Sequence, residues 1–378
     1  MAGKGGLEGV TVADISSSLV DGENGHLVYA GYEIEDLAAN STFEEVCHLL
    51  WYGRLPKADE LELLRSRIAH DAVLPEAIIS MMKALPKDAN SMAVVRTVVS
   101  ALAHYDADAE ILGNKAVAMH KAIRLTGQIT TACAAWDRIR KGKEPIAPRQ
   151  DLSLSANFVY MLNGEEPAKA TVDAVDVYMI LLAEHGMNAS TFASRVITGT
   201  GSDFHSAIVG AIGALKGPAH GGANAEAMHQ FVEIGEVENV EPWFIKNIKN
   251  GDRRIMGIGH RIYKALDPRA QILRDKAKAM AESTGNMKWF LIADNLAQLA
   301  RADAYFIERK LYPNVDYYSA IVLYTIGLDI DMFTPLFAMS RIAGWSANVI
   351  EQMGGRLIRP DANYVGPMGL KWAPISER

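Results

Sequence analysis

The chain has 378 residues, 49% hydrophobic and 22% charged, with a formal net charge of -7. That composition excludes a disordered or low-complexity protein, and at roughly 150 residues per domain it predicts two to three domains' worth of buried core. The acidic balance is the wrong sign for a general nucleic-acid or anionic-membrane binder, so any polyanion must meet a local basic patch.

The two cysteines, Cys47 and Cys133, are far apart and offer neither a CxxC pair nor a thiolate zinc site, which points to a reducing compartment. No apolar run approaches the roughly 18 residues of a membrane span. Met1 to Gly6 carries neither an apolar signal core nor an Arg/Ser-rich leader, so a cytoplasmic protein is expected.

Leu19-Val20 and Leu27-Val28-Tyr29 flank Asp21-Gly22 and Asn24-Gly25, the signature of a small hairpin. Nearly everything after it reads as helix. Asn40-Ser41-Thr42 offers N-caps with Glu44 and Glu45 close behind, and an apolar stripe of Val46, Cys47, Leu49 and Leu50 ends at Gly53 and Pro56. The same spacing of three and four recurs at Leu61, Leu64 and Ile68, at Met92 to Leu102, and at Val172 to Leu182. Gly/Pro punctuation separates the helices without a long linker, no internal repeat is visible, and alternating βα units are missing, so the fold class is all-α.

Of ten histidines, six fall within helical patterns and His26 belongs to the hairpin. Three sit beside glycine at helix ends. His185-Gly186 closes a helix running from Ala168 to Glu184, before an N-cap at Asn188; such a histidine can satisfy frayed carbonyls or bind a ligand. His220, in Gly217-Pro218-Ala219-His220-Gly221-Gly222, lies beside the helix opening at Ala223. There a neutral ring could donate to a carbonyl oxygen that gains charge, or the residue could be incidental to a glycine-rich corner. His260 lies in the stretch Asp252 to Arg269, which holds five basic residues against two acidic ones and supplies a local cationic patch suited to carboxylates or phosphates. Asp267 reads as an N-cap with Pro268 at the first helical position and Arg269 in the first turn. A dinucleotide loop is disfavoured, because no strand precedes Gly257-Ile258-Gly259 and the third glycine is missing.

Asp316 stands among Tyr312, Tyr317 and Tyr318 near a helix start, as a cap or as a carboxylate whose basicity is raised by desolvation and lowered by the helix dipole. Arg341, Arg356 and Arg359 add planar, bidentate cations that suit a small polycarboxylate.

In their order along the chain these segments resemble citrate synthases. The matching stretches are Gly6-Leu7-Glu8-Gly9-Val10, Tyr29-Ala30-Gly31-Tyr32, Leu49 to Pro56, His185-Gly186-Met187-Asn188-Ala189-Ser190-Thr191, Gly217 to Asn224, Gly257 to Arg261 with Asp267-Pro268-Arg269, Pro313-Asn314-Val315-Asp316, and Arg359-Pro360. The resemblance implies an all-α, two-domain subunit of a homodimer with a small N-terminal β-hairpin. A large domain would comprise residues 1–222 and 322–378, and a small one residues 223–321.

The implied reaction condenses acetyl-CoA with oxaloacetate and water to give citrate and CoA, with no metal and no permanently bound cofactor, coenzyme A entering as a thioester substrate. Asp316 would remove a methyl proton, His220 would hydrogen-bond the thioester oxygen, and His260 would polarise the ketone. His185, Arg269, Arg341 and, from the partner subunit, Arg359 would bind substrate carboxylates. Gly257, Ile258, Gly259, Arg261 and Lys264 would meet coenzyme A. Two positions depart from the pattern: Gly186 stands where many members carry Glu, and Asp361 where many carry a second Arg.

The nearest rival is 2-methylcitrate synthase, which takes propionyl-CoA, and one methyl group is worth only about 1 to 3 kcal/mol in an apolar pocket. A non-catalytic helical dimer sensing CoA esters or polycarboxylates is the rival from another class. A histidine metalloenzyme lacks the H-E-x-x-H spacing.

Overall fold

Turn and helix signals resolve into three short strands and seventeen α-helices among the described residues, which in this computed structural model are 6–7 and 9–378. Glu8 of the first motif and Met1 to Gly5 of the stretch inspected for a leader lie outside them.

The expected hairpin forms from β1 (Ser18–Asp21) and β2 (His26–Tyr29), antiparallel, with Ser18 opposite Tyr29 and Asp21 opposite His26. A third strand, β3 (Tyr32–Glu33), pairs with β2 and was not anticipated. The turn between them places Ala30 at φ 44° and Gly31 at φ 93°, so both central residues are left-handed as a tight hairpin turn requires. Alanine in the first of those positions gives no sequence signal.

The helices follow as α1 (Ile34–Asn40), α2 (Phe43–Tyr52), α3 (Ala58–Asp71), α4 (Glu76–Ala84), α5 (Ser91–Leu102), α6 (Lys115–Arg140), α7 (Leu154–Asn163), α8 (Lys169–Leu182), α9 (Ala189–Gly199) and α10 (Phe204–Leu215). The remainder are α11 (Ala223–Ile234), α12 (Val240–Phe244), α13 (Pro268–Thr284), α14 (Lys288–Ala302), α15 (Ala304–Glu308), α16 (Val315–Thr325) and α17 (Phe333–Gln352). Local chemistry sets the boundaries. Thr42 and Glu45 form a capping box on α2 and Gly53 ends it in the left-handed conformation. Asn188 caps α9 through Thr191 N–H, and Asp267 caps α13 ahead of Pro268.

Two helices organise the core. α6 spans 26 residues and is buried almost all round from Lys121 to Ile139, the pattern of a helix enclosed by others. α17 lies against it and also against α2, α8, α9 and α10, with Arg341, Ser346 and Asn348 buried among its apolar residues. α16 packs on α8, α11, α13 and α14. The last turn of α8, the first turns of α9, α13 and α16, and the middle of α17 therefore share one region, and His185, His220, His260, Arg269, Asp316 and Arg341 belong to it or to the loops beside it, whereas Arg356 and Arg359 do not. Among the described residues, no helix is long and apolar enough to cross a membrane.

Trp136 of α6 is fully buried. Trp136→Ala is expected to lower the unfolding free energy by about 3–5 kcal/mol through the cavity it leaves. Denaturant titration should show a lower midpoint at unchanged slope, and an unmoved midpoint would refute the central role given to α6.

Candidate active site

Asp267 does more than cap a helix. Its carboxylate accepts from Arg269 N (3.0 Å), Arg269 Nε (2.9 Å) and Arg269 Nη2 (2.8 Å), and from Val315 N (3.1 Å) at the start of α16. One buried anion thus joins the first turns of α13 and α16, bringing Arg269 and Asp316 to the same place. Although burial opposes its charge, the Asp267 carboxylate keeps the Arg269 guanidinium more firmly protonated than usual. The guanidinium also lies 5.7 Å from the centre of the Tyr263 ring.

His260 is positioned by its own loop. Nδ1 accepts from Ile262 N and Tyr263 N, both at 3.1 Å, which leaves the ring proton on Nε2. Burial, reinforced by Arg269, lowers its pKa to about 4. The ring of His185 meets it edge-on at 5.6 Å, and His185 Nε2 lies 3.1 Å from Tyr263 Oη. Burial and then Arg269 and Arg341 hold His185 neutral, far below the usual histidine range.

His220 reaches a helix start, but not that of α11. Its Nε2 accepts from Ser190 N at 3.2 Å, in the first turn of α9, with Ser190 Oγ at 2.8 Å. Ser190 Oγ accepts from Trp345 Nε1 at 3.0 Å and stands 2.8 Å from Asn188 Oδ1, which already accepts from Thr191 N, so the single hydroxyl proton can turn to the His220 lone pair. A lone pair facing a backbone donor puts the ring proton on Nδ1. Burial first, then Arg341, lowers the pKa to about 4.

Asp316 occupies the first turn of α16, where Asn314 caps the helix by accepting from Asp316 N at 2.9 Å. Its carboxylate has no hydrogen-bond partner among the described residues. The opposition between desolvation and cations is decided by burial, which raises the pKa to about 6 against the pull of Arg269 and Arg341.

Arg341 is 2% exposed and donates from Nε to Leu182 O at 2.5 Å. Unlike Arg269 it makes no ion pair among the described residues. It is the common electrostatic neighbour of His185, His220 and Asp316, while Arg269 neighbours His185, His260 and Asp316. Two guanidinium groups therefore bracket three neutral imidazoles and one basic carboxylate.

The glycines at 257 and 259 are spatial requirements. Gly257 has φ 77°, and a Cβ there would stand 2.8 Å from Tyr317 Cα. Gly259 N donates to Tyr312 O at 2.8 Å, and Asn314 Nδ2 returns a bond to Gly259 O at 2.8 Å, so the loop is stitched to the segment that presents Asp316. Ile258, Gly259, His260 and Arg261 line a cavity of about 870 Å³. Lys249, Arg253, Arg254 and Arg309 also line it, with Arg309 stacked 4.1 Å from the centre of the Tyr305 ring.

Three candidates fall outside this assembly. Lys264 is exposed and does not line the cavity; its N–H is bound to Gly22 O at 2.8 Å, tying the loop to the β1–β2 turn. Arg356 and Arg359 are exposed beyond α17, in a separate cavity of about 440 Å³ with Arg195 and Glu351. Among the described residues, no group of three or more His, Cys, Asp or Glu side chains could hold a metal ion. Sequence reasoning missed Ser190, Trp345 and Tyr263 as supports, gave Asp267 only its capping role, and overlooked Lys249, Tyr305 and Arg309. Ser190 and Asp267 lie within the quoted stretches, but nothing local shows that they reach His220 and α16; Lys249, Tyr263, Tyr305, Arg309 and Trp345 carry no signal beyond residue type.

Chemically, the cluster offers two neutral N–H donors, a carboxylate more basic than usual, and two cations able to hold carboxylates. In heteronuclear NMR, the His220 and His260 rings are expected to stay neutral from pH 7 down to roughly pH 5, because burial delays proton uptake. A titration midpoint near the ordinary histidine value in either ring would contradict this buried geometry.

Residues 6–361 match the family described as "Citrate synthase, C-terminal domain". The chain is 45% identical over 376 residues to Citrate synthase 2 of Bacillus subtilis, covering 99% of this chain and 98% of that protein. It is 40% identical to the 2-methylcitrate synthase of Mycobacterium tuberculosis, covering 96% and 90%. Among solved structures, the ternary complex of carboxymethyl coenzyme A and oxaloacetate with the citrate synthase of Thermoplasma acidophilum superposes with a TM-score of 0.92 at 35% identity, covering 98% of both chains. With a family match over nearly its whole length and relatives of this similarity, the chain belongs to the citrate synthase family.

Proposed function

We propose that the chain condenses acetyl-CoA with oxaloacetate and water to give citrate and free CoA. The observation that carries this reading is the pair of neutral imidazoles whose free N–H groups are selected by backbone donors, beside the hydrogen-bond-free carboxylate of Asp316. Asp316 takes a proton from the thioester methyl group while His220 Nδ1 donates to the carbonyl oxygen, so the nucleophile is an enol and no full negative charge is left on oxygen. A neutral donor suits that task, since the proton is shared with an oxygen of comparable basicity. His260 Nε2 polarises the ketone of oxaloacetate, and Arg269, Arg341 and His185 hold its carboxylates. The new C–C bond forms between the enol carbon and the ketone carbon, and water then cleaves the citryl thioester, releasing CoA.

The 870 Å³ cavity supports the coenzyme A assignment. Arg254, Arg261, Arg309 and Lys249 offer cations to its phosphates and Tyr305 offers a ring face to its base. Ile258 and Gly259 contribute backbone groups, whereas Gly257 lets the loop pack on Tyr317 and the Lys264 N–H docks it to Gly22. Residues 223–321 act as the smaller domain, carrying the coenzyme A loop and Asp316 against a larger unit of 1–222 and 322–378. No permanently bound cofactor or metal enters the scheme, and the enzyme works in the cytoplasm.

A homodimer completes the site. Arg359 is exposed and away from the histidines of its own chain, and Tyr364, Val365, Met368, Leu370 and Trp372 beyond it are 70–94% exposed, apolar surface that calls for a partner. Arg359 of one subunit then reaches the substrate carboxylates of the other. The 40% identity to a 2-methylcitrate synthase keeps propionyl-CoA as the second reading of the acyl substrate. Comparing acetyl-CoA and propionyl-CoA at saturating oxaloacetate decides it, and a large propionyl preference would displace the first reading.

Release of free CoA that requires both acetyl-CoA and oxaloacetate is the primary test. Asp316→Asn is expected to retain oxaloacetate binding while turnover falls by about 10²–10⁴-fold or more. Because the base must be ionised, kcat/KM should fall tenfold per unit as pH drops below about 6. An unchanged rate in the variant removes Asp316 from its role. Arg359→Ala and Asp316→Asn should each be inactive, yet regain about a quarter of full activity when subunits are exchanged, since half the dimers are mixed and each carries one intact site. No recovery after proven exchange would place Arg359 outside the partner's site.

A further inference from the structure

Of the buried carboxylates that the scheme does not use, which include Glu44, Asp106, Asp137 and Asp294, Glu184 is the one beside the histidines. Glu184 lies between the end of α8 and His185, is fully buried, and points away from solvent onto α17. Oε1 accepts from Ser18 Oγ at 3.0 Å and Oε2 from Asn348 Nδ2 at 3.3 Å. Ser18 Oγ already accepts from Gly186 N at 3.0 Å, which directs its proton to Glu184. Both contacts are donors, so together with Arg341 they favour the anion, against burial, which raises the pKa of the group above the ordinary carboxylate value.

α17 is shaped to receive it. A Cβ on Gly344 would stand 2.1 Å from Glu184 Oε2 and 2.4 Å from Ala183 O, and Gly344 N donates to Ala183 O at 3.0 Å. Gly344 is one turn beyond Arg341, the buried guanidinium that has no ion pair. The contrast with Arg269, whose charge is neutralised by the direct grip of Asp267, is instructive. Pairing Arg341 in the same way would occupy the N–H groups that a substrate carboxylate needs. A charge set back from it compensates the guanidinium while leaving those groups open, and also repels an incoming dianion.

We propose that Glu184 is a positioning and charge-balancing residue of the dicarboxylate subsite: it retains Arg341 in the empty site and limits how tightly oxaloacetate and citrate are held, so that product leaves. This rests on the oxaloacetate reading given above. Calorimetric titration of oxaloacetate and of citrate into the full chain separates the two. Absence of binding by the unaltered protein overturns the oxaloacetate reading and this inference with it.

Given binding, Glu184→Gln should bind both ligands more tightly, on the order of tenfold for a buried charge at this range. KM for oxaloacetate should fall in parallel and KM for acetyl-CoA should stay unchanged. Glu184→Asp, which keeps the charge, should hold oxaloacetate within about threefold of the unaltered chain, because Coulomb energy varies weakly over one ångström. Equal or weaker binding by Glu184→Gln overturns the proposal. Should that variant not fold, a loss of affinity well beyond threefold in Glu184→Asp overturns it instead, as would equal effects in both variants.

Discussion

The Asp267 carboxylate is the constraint on which the arrangement depends. Four donors converge on it, three from Arg269 and one from the first turn of α16, and all are sheltered from water. A buried guanidinium without such a partner costs several kcal/mol, and a buried carboxylate without donors costs comparably. By satisfying both at once, Asp267 fixes where α13 and α16 begin relative to each other, and so where Asp316 stands relative to the loop of His260. The same loop is tied back by Asn314 to Gly259 and by Lys264 to Gly22, so its backbone has little freedom.

Burial acts with opposite sign on the acids and bases of the cluster, and that divergence creates its chemistry. Desolvation disfavours whichever form is charged: it lowers His220 and His260 to about 4 and raises Asp316 to about 6. At neutral pH the imidazoles are therefore donors without charge, and the carboxylate is ionised yet basic. Guanidinium groups make the histidines more firmly neutral and moderate the aspartate, so Arg269 and Arg341 tune the set besides offering to bind carboxylates. The tautomers are set by backbone N–H groups of rigid turns, Ser190 for one ring and Ile262 with Tyr263 for the other, which removes any dependence on mobile side chains.

Two solutions to buried cation are visible within one pocket. Arg269 is clamped and immobile, a fixed wall. Arg341 is left unpaired, with its Nε bound to Leu182 O and its charge answered at a remove by Glu184. The difference follows from the helices that carry them: Arg269 lies in a first turn beside its own cap, while Arg341 is mid-helix on α17, where only a glycine three residues on admits a neighbouring carboxylate.

Local sequence carried a great deal of this. Caps and glycines located the helix ends, and glycine-flanked placement singled out His185, His220 and His260, because a histidine at a helix break is exposed to ligand in a way that one within a packed stripe is not. The cationic stretch from Asp252 to Arg269 and the aromatic setting of Asp316 were equally legible. Tertiary structure alone decided the rest. It showed that the helix start facing His220 is α9, thirty residues upstream, that desolvation prevails at Asp316, that Asp267 binds a second helix, and that Arg359 stands apart from its own chain's histidines. It also turned Ala30 and Gly31 into a hairpin turn leading to a third strand. The physical reason is range: capping and backbone conformation act over one helical turn and are written in adjacent residues, whereas desolvation and charge coupling depend on which distant segments come to share one volume.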